Sequence, residues 1–113
     1  MRLIFILLLG LCLSSSADDK KKTKAETYVI IDVRTPDEWT QGHHSEAVHI
    51  PYTKIGDKIA SVTKDKNKKI YLYCAVGGRA QVALLKLKSL GYKNLKNLGS
   101  LNEARKAIPE KKK

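Results

Sequence analysis

Apolar positions along the chain fall into short blocks separated by charged or glycine-containing stretches. The first, Leu3 to Leu13, follows Met1 and Arg2 and is nearly unbroken, but it is short for a permanent membrane span. After the polar stretch Asp18 to Thr27, the β-branched run Tyr28 to Val33 (YVIIDV) predicts a buried strand. Thr35-Pro36-Asp37-Glu38-Trp39 then has the pattern of a helix start. Thr35 can cap, Pro36 suits the first turn, and Glu38 stands three residues after the cap. This helix must be short, because Gly42 follows. Ala47 to Ile50 predicts a second strand, ended by Pro51.

Ile55, Ile59 and Val62 stand at i, i+4 and i+7, one apolar stripe on a helix over about Thr53 to Val62. Lys64 to Lys69 is a charged turn, and Lys69 to Tyr73 (KIYLY) is a third strand that leads directly to Cys74. From Arg79 to Leu90, the residues Ala80, Ala83, Leu84, Leu87 and Leu90 share one helical face, with Lys86 and Ser89 facing away and Gly91 as the C-terminal cap. Asn94 to Leu98 predicts a fourth strand, and Leu101 to Ile108 a last helix stopped by Pro109. Strands alternating with helices predict an α/β fold: a small three-layer domain, mainly a parallel sheet of four to five strands with helices on both faces. In such sheets ligands bind at the carboxyl ends of the strands, and Cys74 occupies one.

Composition changes this picture at the ends. The basic start, the apolar run and the small residues Ser14-Ser15-Ser16-Ala17 predict a signal peptide over 1–17, cleaved before Asp18, and hence an exported, periplasmic protein. The alternatives are a retained anchor or lipid attachment at Cys12, against which the bulky Leu11 argues. The expected organisation is then a charged leader over 18–27, one domain over 28–108 and a lysine-rich tail over 109–113, with no stable membrane span after cleavage. If Cys12 is removed, Cys74 is the one cysteine left, so an internal disulfide is impossible and a reactive thiol or an intermolecular bond remains. The net charge of +11 is mostly lysine, concentrated at Lys20-Lys21-Lys22 and Lys111-Lys112-Lys113. Arginine is scarce and aromatics are not interleaved with it, which argues against a nucleic-acid reader. The positive field can still attract small anions.

Cys74-Ala75-Val76-Gly77-Gly78-Arg79 is where chemistry is expected. The two glycines permit positive φ, so successive backbone N–H groups can turn inward above a strand end, and the following helix N-terminus adds partial positive charge. That field favours a sulfur anion, and Arg79 can neutralise an incoming oxyanion. Phosphatase-like loops carry their arginine six positions after the cysteine; here it stands five after, a tighter ring that suits one added sulfur better than a phosphoryl group. Asp32 and Arg34 are expected to form a structural ion pair or to brace the neighbouring loop. His43, His44 and His49 lack the spacing of a metal site, Trp39 is expected in the core or as a lid on the cleft wall, and Tyr71 and Tyr73 are expected to pack on one strand face.

These motifs resemble those of the rhodanese family of sulfurtransferases, in its small, single-domain, exported form. The resemblance rests on Cys74, Gly77 and Arg79 as C-x-x-G-x-R, and on Asp32-Val33-Arg34 with Glu38-Trp39. It rests also on Gly42-His43 leading to Ala47-Val48-His49-Ile50-Pro51, and on the ending Gly91 to Gly99. Glu46, His44 and Ser100 depart from it, standing where glycine, an aliphatic residue and a second glycine are usual. The helix and strand that usually precede the D-V-R strand are missing. The resemblance implies that Cys74 takes the sulfane sulfur of thiosulfate, releases sulfite and passes the sulfur to cyanide or a thiol. Ala75, Val76, Gly77, Gly78 and Arg79 would bind the substrate, with Asp32 and Arg34 in support. No metal or organic cofactor and no nucleic acid is implied, and a monomer is expected. Two other classes stay open: a non-catalytic binding module on the same fold, and a phosphatase or arsenate-reductase-like enzyme.

Overall fold

The computed structural model describes residues 27–110. The expected signal peptide, Cys12, most of the charged leader and the last three lysines lie outside the described residues. The described elements run β1 (Tyr28–Asp32), α1 (Pro36–Thr40), β2 (Ala47–His49), a 3₁₀ turn (Tyr52–Lys54), α2 (Ile55–Val62), β3 (Lys69–Cys74), α3 (Gly78–Ser89), β4 (Leu95–Ser100) and α4 (Leu101–Ala107). Each expected element is present, with ends moved by one or two residues. The expected start of the second helix, Thr53, falls in the 3₁₀ turn instead.

The four strands form one parallel sheet in the order β2-β1-β3-β4. Side-chain alternation along the strands divides the core in two. Ile31, Ile70, Leu72 and Cys74 face α2 and α3, where they meet Ile55, Ile59, Ala80, Ala83 and Leu87. Ile30 and Tyr73 face the other way, against Ala104 of α4, with Tyr28, Tyr71, Leu98 and Leu101 packed around them. Helices thus cover both faces, and Tyr71 and Tyr73 pack on one face as expected.

The expected apolar face of α3 needs one correction. Ala80, Ala83 and Leu87 are buried, but Leu90 is exposed. The chain reverses just after it: Gly91 N–H donates to the Lys88 carbonyl (3.0 Å) and Tyr92 N–H to the Leu87 carbonyl (3.1 Å), a Schellman end. Tyr92, brought back over the helix end, takes the buried place.

Two of the departures from the family pattern are absorbed by hydrogen bonds. The Tyr28 hydroxyl donates to Glu46 Oε1 at 2.8 Å. His44 is fully buried. Its Nδ1 accepts from the Glu46 N–H (3.1 Å), so its Nε2 carries the proton that points at the Ile108 carbonyl, 2.6 Å away. An aliphatic side chain at this place could not tie the last helix to the turn before β2.

Candidate active site at the end of the third strand

β3 ends at Cys74, and the chain then needs only three residues before α3 begins at Gly78. Such a short connection is possible because Gly77 adopts φ +103°. Gly78, also expected to use positive φ, does not: it is the first residue of the helix, and Gly77 alone makes the turn. The turn swings backbone donors onto the sulfur. Cys74 Sγ accepts from the Gly77 N–H at 2.9 Å and from the Ala80 N–H at 3.4 Å. The sulfur therefore lies at the N-terminus of α3, where unpaired helix amides and the helix dipole favour negative charge. Cys74 is fully buried, whereas Ala75 and Val76 above it are exposed.

The loop is held from β4. Asn97 Nδ2 donates to the Gly77 carbonyl (2.9 Å), and Asn97 Oδ1 accepts from the Gly99 N–H (2.9 Å). An irregularity in the β3–β4 register pairs Leu72 with Asn97 but Tyr73 with Gly99, which leaves Leu98 unpaired as a bulge. A Cβ on Gly77 would lie 3.4 Å from the Gly99 Cα. Ser100, standing where a second glycine is usual, caps α4 through its Oγ, which accepts from the Glu103 N–H (3.1 Å).

Arg79, the second residue of α3, has its guanidinium engaged. Nη1 lies 2.8 Å from Glu38 Oε1 and Nη2 3.0 Å from Oε2. Glu38 also closes the capping box of α1, accepting from the Thr35 N–H (2.9 Å) while Thr35 Oγ1 accepts from the Glu38 N–H (3.3 Å). The bidentate bond to Arg79, aided by the cap, lowers the Glu38 carboxyl to about 2 and raises the Arg79 guanidinium further. The pairing was not legible in the sequence. Its one signal there is the E-W step of the family motif, which sequence reasoning absorbs as a helix cap.

Asp32 and Arg34 form the expected ion pair. Arg34 Nη2 lies 2.7 Å from Asp32 Oδ2, Nε bonds both carboxylate oxygens, and Nη2 also donates to the Gly42 carbonyl (2.7 Å). Arg34 stacks over the Tyr73 ring, whose burial, with Asp32 nearby, raises its hydroxyl well above the usual range. The pair thus braces the end of β1 on the Tyr73 face of the sheet, the face opposite Cys74.

The histidines are tied up rather than clustered. His43 stacks flat on Trp39 (3.3 Å between centroids), with His49 on Trp39 as well (4.8 Å). His43 Nδ1 meets the Trp39 carbonyl and His49 Nε2 the Arg34 carbonyl. Among the described residues no group of three or more acidic, histidine or cysteine side chains could hold a metal. No described helix is long and apolar enough to cross a membrane.

The sequence profile of the Rhodanese-like domain matches residues 15–107. Thiosulfate sulfurtransferase PspE of Escherichia coli (strain K12) is 34% identical over 82 residues, covering 73% of this chain and 77% of that protein. A sulfurtransferase of Allochromatium vinosum is 28% identical, covering 86% of this chain and 91% of the relative. Among solved structures, a rhodanese with anions from E. coli superposes with TM-score 0.67 and 31% identity, over 74% of this chain and 94% of that one. A cysteine cradled by amides at a strand end is what a sulfur-carrying protein needs, and with likeness of this extent in sequence and structure the chain belongs to the rhodanese-like family of sulfurtransferases.

Proposed function

We propose that this protein is a thiosulfate sulfurtransferase that carries sulfane sulfur as a persulfide on Cys74. The observation that carries the proposal is the pair of backbone donors on Cys74 Sγ at the start of α3. Donors aimed at a sulfur stabilise it as the attacking anion and as the persulfide that follows. In the first half-reaction the Cys74 thiolate attacks the sulfane sulfur of thiosulfate. A new S–S bond forms, the donor's S–S bond breaks, and sulfite leaves with the electron pair. In the second, cyanide or a thiolate attacks the outer sulfur, the persulfide bond breaks, and the Cys74 thiolate returns. Ala75 and Val76, exposed beside the buried sulfur, form the substrate-binding loop together with Gly77, Gly78 and Arg79. The protein acts as a monomer without metal or organic cofactor.

Intact mass after thiosulfate treatment checks this: the protein gains one sulfur atom, cyanide removes it as thiocyanate, and Cys74→Ser does neither while staying folded. Thiocyanate formation by the serine variant at the wild-type rate would overturn the mechanism. Hydrolysis of an aryl phosphate with no sulfur gained would turn the reading to a phosphatase; neither activity would turn it to a binding module. We propose also that the protein is exported, on the strength of the basic start, apolar run and small residues before Asp18. N-terminal sequencing of protein from the envelope fraction then begins at or near Asp18; recovery of the full chain from the cytoplasm contradicts it, and a lipid on Cys12 turns the reading to a lipid-anchored protein.

A further inference from the structure

Arg79 is the cation of the cysteine loop, and its fork is already filled. Both terminal nitrogens bond the two oxygens of Glu38 at 2.8 and 3.0 Å. The carboxylate is itself tethered, since Oε1 also accepts from the Thr35 N–H and hydroxyl (2.9 and 3.0 Å). An anion arriving at the loop must therefore break a bidentate charged bond together with a helix cap, or else meet a guanidinium whose charge Glu38 already cancels. We infer that Glu38 is a specificity-determining residue, which cancels the charge of Arg79 at the loop mouth and so disfavours doubly charged sulfur donors relative to donors of low charge. This rests on the sulfurtransferase reading and ranks its donors by charge, with thiosulfate still a substrate but a weakly held one.

The rest of the chain does not supply such a filter. With a net charge of +11 it draws every anion toward its surface. Discrimination between a dianion and a singly charged persulfide must then be made locally, where the two side chains are only partly exposed, at 28% and 32%. Withholding one charged hydrogen bond from a dianion in such a setting weakens its binding about tenfold or more.

The test compares thiosulfate binding by calorimetry to Cys74→Ser with and without Glu38→Gln, at low salt. Glutamine can keep the capping box, so the change removes charge more than structure. About tenfold tighter binding is expected, shrinking as salt is added. In the Cys74 protein, Glu38→Gln should raise kcat/KM for thiosulfate relative to the singly charged 2-hydroxyethyl persulfide anion by roughly severalfold, through KM rather than kcat. Glu38→Ala gives the same comparison if glutamine disturbs α1. Unchanged or weaker thiosulfate binding without the carboxylate overturns the inference, because Glu38 would then only hold Arg79 in place. Failure of Cys74 to gain sulfur from either donor, in wild type and in Glu38→Gln alike, would instead sink the sulfurtransferase reading, and the binding comparison would still decide the role of Glu38.

Discussion

Gly77 leaves β3 at φ +103°, and its neighbour Gly78 is already the first residue of α3. A side chain at 77 forces an L-residue into a backbone region it rarely adopts and brings a Cβ to 3.4 Å from the Gly99 Cα. At 78 nothing lies within 4 Å of a built Cβ. Gly77→Ala is therefore expected to destabilise the fold by about 1–3 kcal/mol. Gly78→Ala, which only removes freedom from the unfolded chain, should stabilise by about 0.4–1 kcal/mol. Urea unfolding of the two variants checks this, and equal midpoints would show that the loop relaxes around either methyl group.

At the scale of elements, α1 is only five residues long and has no buried residue of its own. A helix so short is not stable by propensity, so its position depends on what grips it. Trp39 holds one side by stacking on His43 and His49, and Glu38 ties the other to α3 through Arg79. The Glu38 carboxyl is lowered from 4.5 to about 2, chiefly by Arg79. A depressed carboxyl stabilises the fold above its unfolded value and loses that stability as pH falls toward the folded one. The window is therefore about pH 4.5 down to about 2. The full shift would correspond to about 3 kcal/mol, but with the side chain a third exposed, solvent screening leaves about 1 kcal/mol. Unfolding free energies of wild type and Glu38→Gln should thus differ at pH 6 and converge near pH 2. A constant difference across that range would contradict the assignment.

Across the whole molecule, one polar network joins β1, the turn before β2, β3 and the last helix. Asp32 binds Arg34, Arg34 binds the Gly42 carbonyl, the Tyr73 hydroxyl accepts from the His44 N–H (3.0 Å), and His44 reaches Ile108. Asp32 is fully buried and Arg34 nearly so. Arg34→Met would leave the Asp32 carboxylate buried without its counter-ion, which costs about 3–5 kcal/mol. For a domain of this size that is a large share of total stability. Thermal melts should show a drop of well over ten degrees, by the usual conversion of about 4–8 °C per kcal/mol. Replacing both members together, as Asp32→Leu with Arg34→Met, should recover part of the loss. A single variant as stable as wild type would mean that water reaches Asp32.

The features legible in the sequence are those set by near neighbours along the chain. Strand runs follow from β-branched alternation, α2 and α3 from apolar spacing, and α1 from a capping box whose members are three residues apart. The place of Cys74 at a strand end before a glycine turn was legible for the same reason. Only the tertiary structure decided which glycine makes the turn, because that depends on where β4 and Asn97 stand beneath it. It also decided that Tyr92 rather than Leu90 is buried. Above all it decided the partner of Arg79. Glu38 is 41 residues away in sequence, and the two meet because the order β2-β1-β3-β4 sets β1 beside β3, in parallel, so that the connections leaving both strands emerge at one end of the sheet. Short-range patterns carry no information about which strands become neighbours; burial of the two sheet faces does.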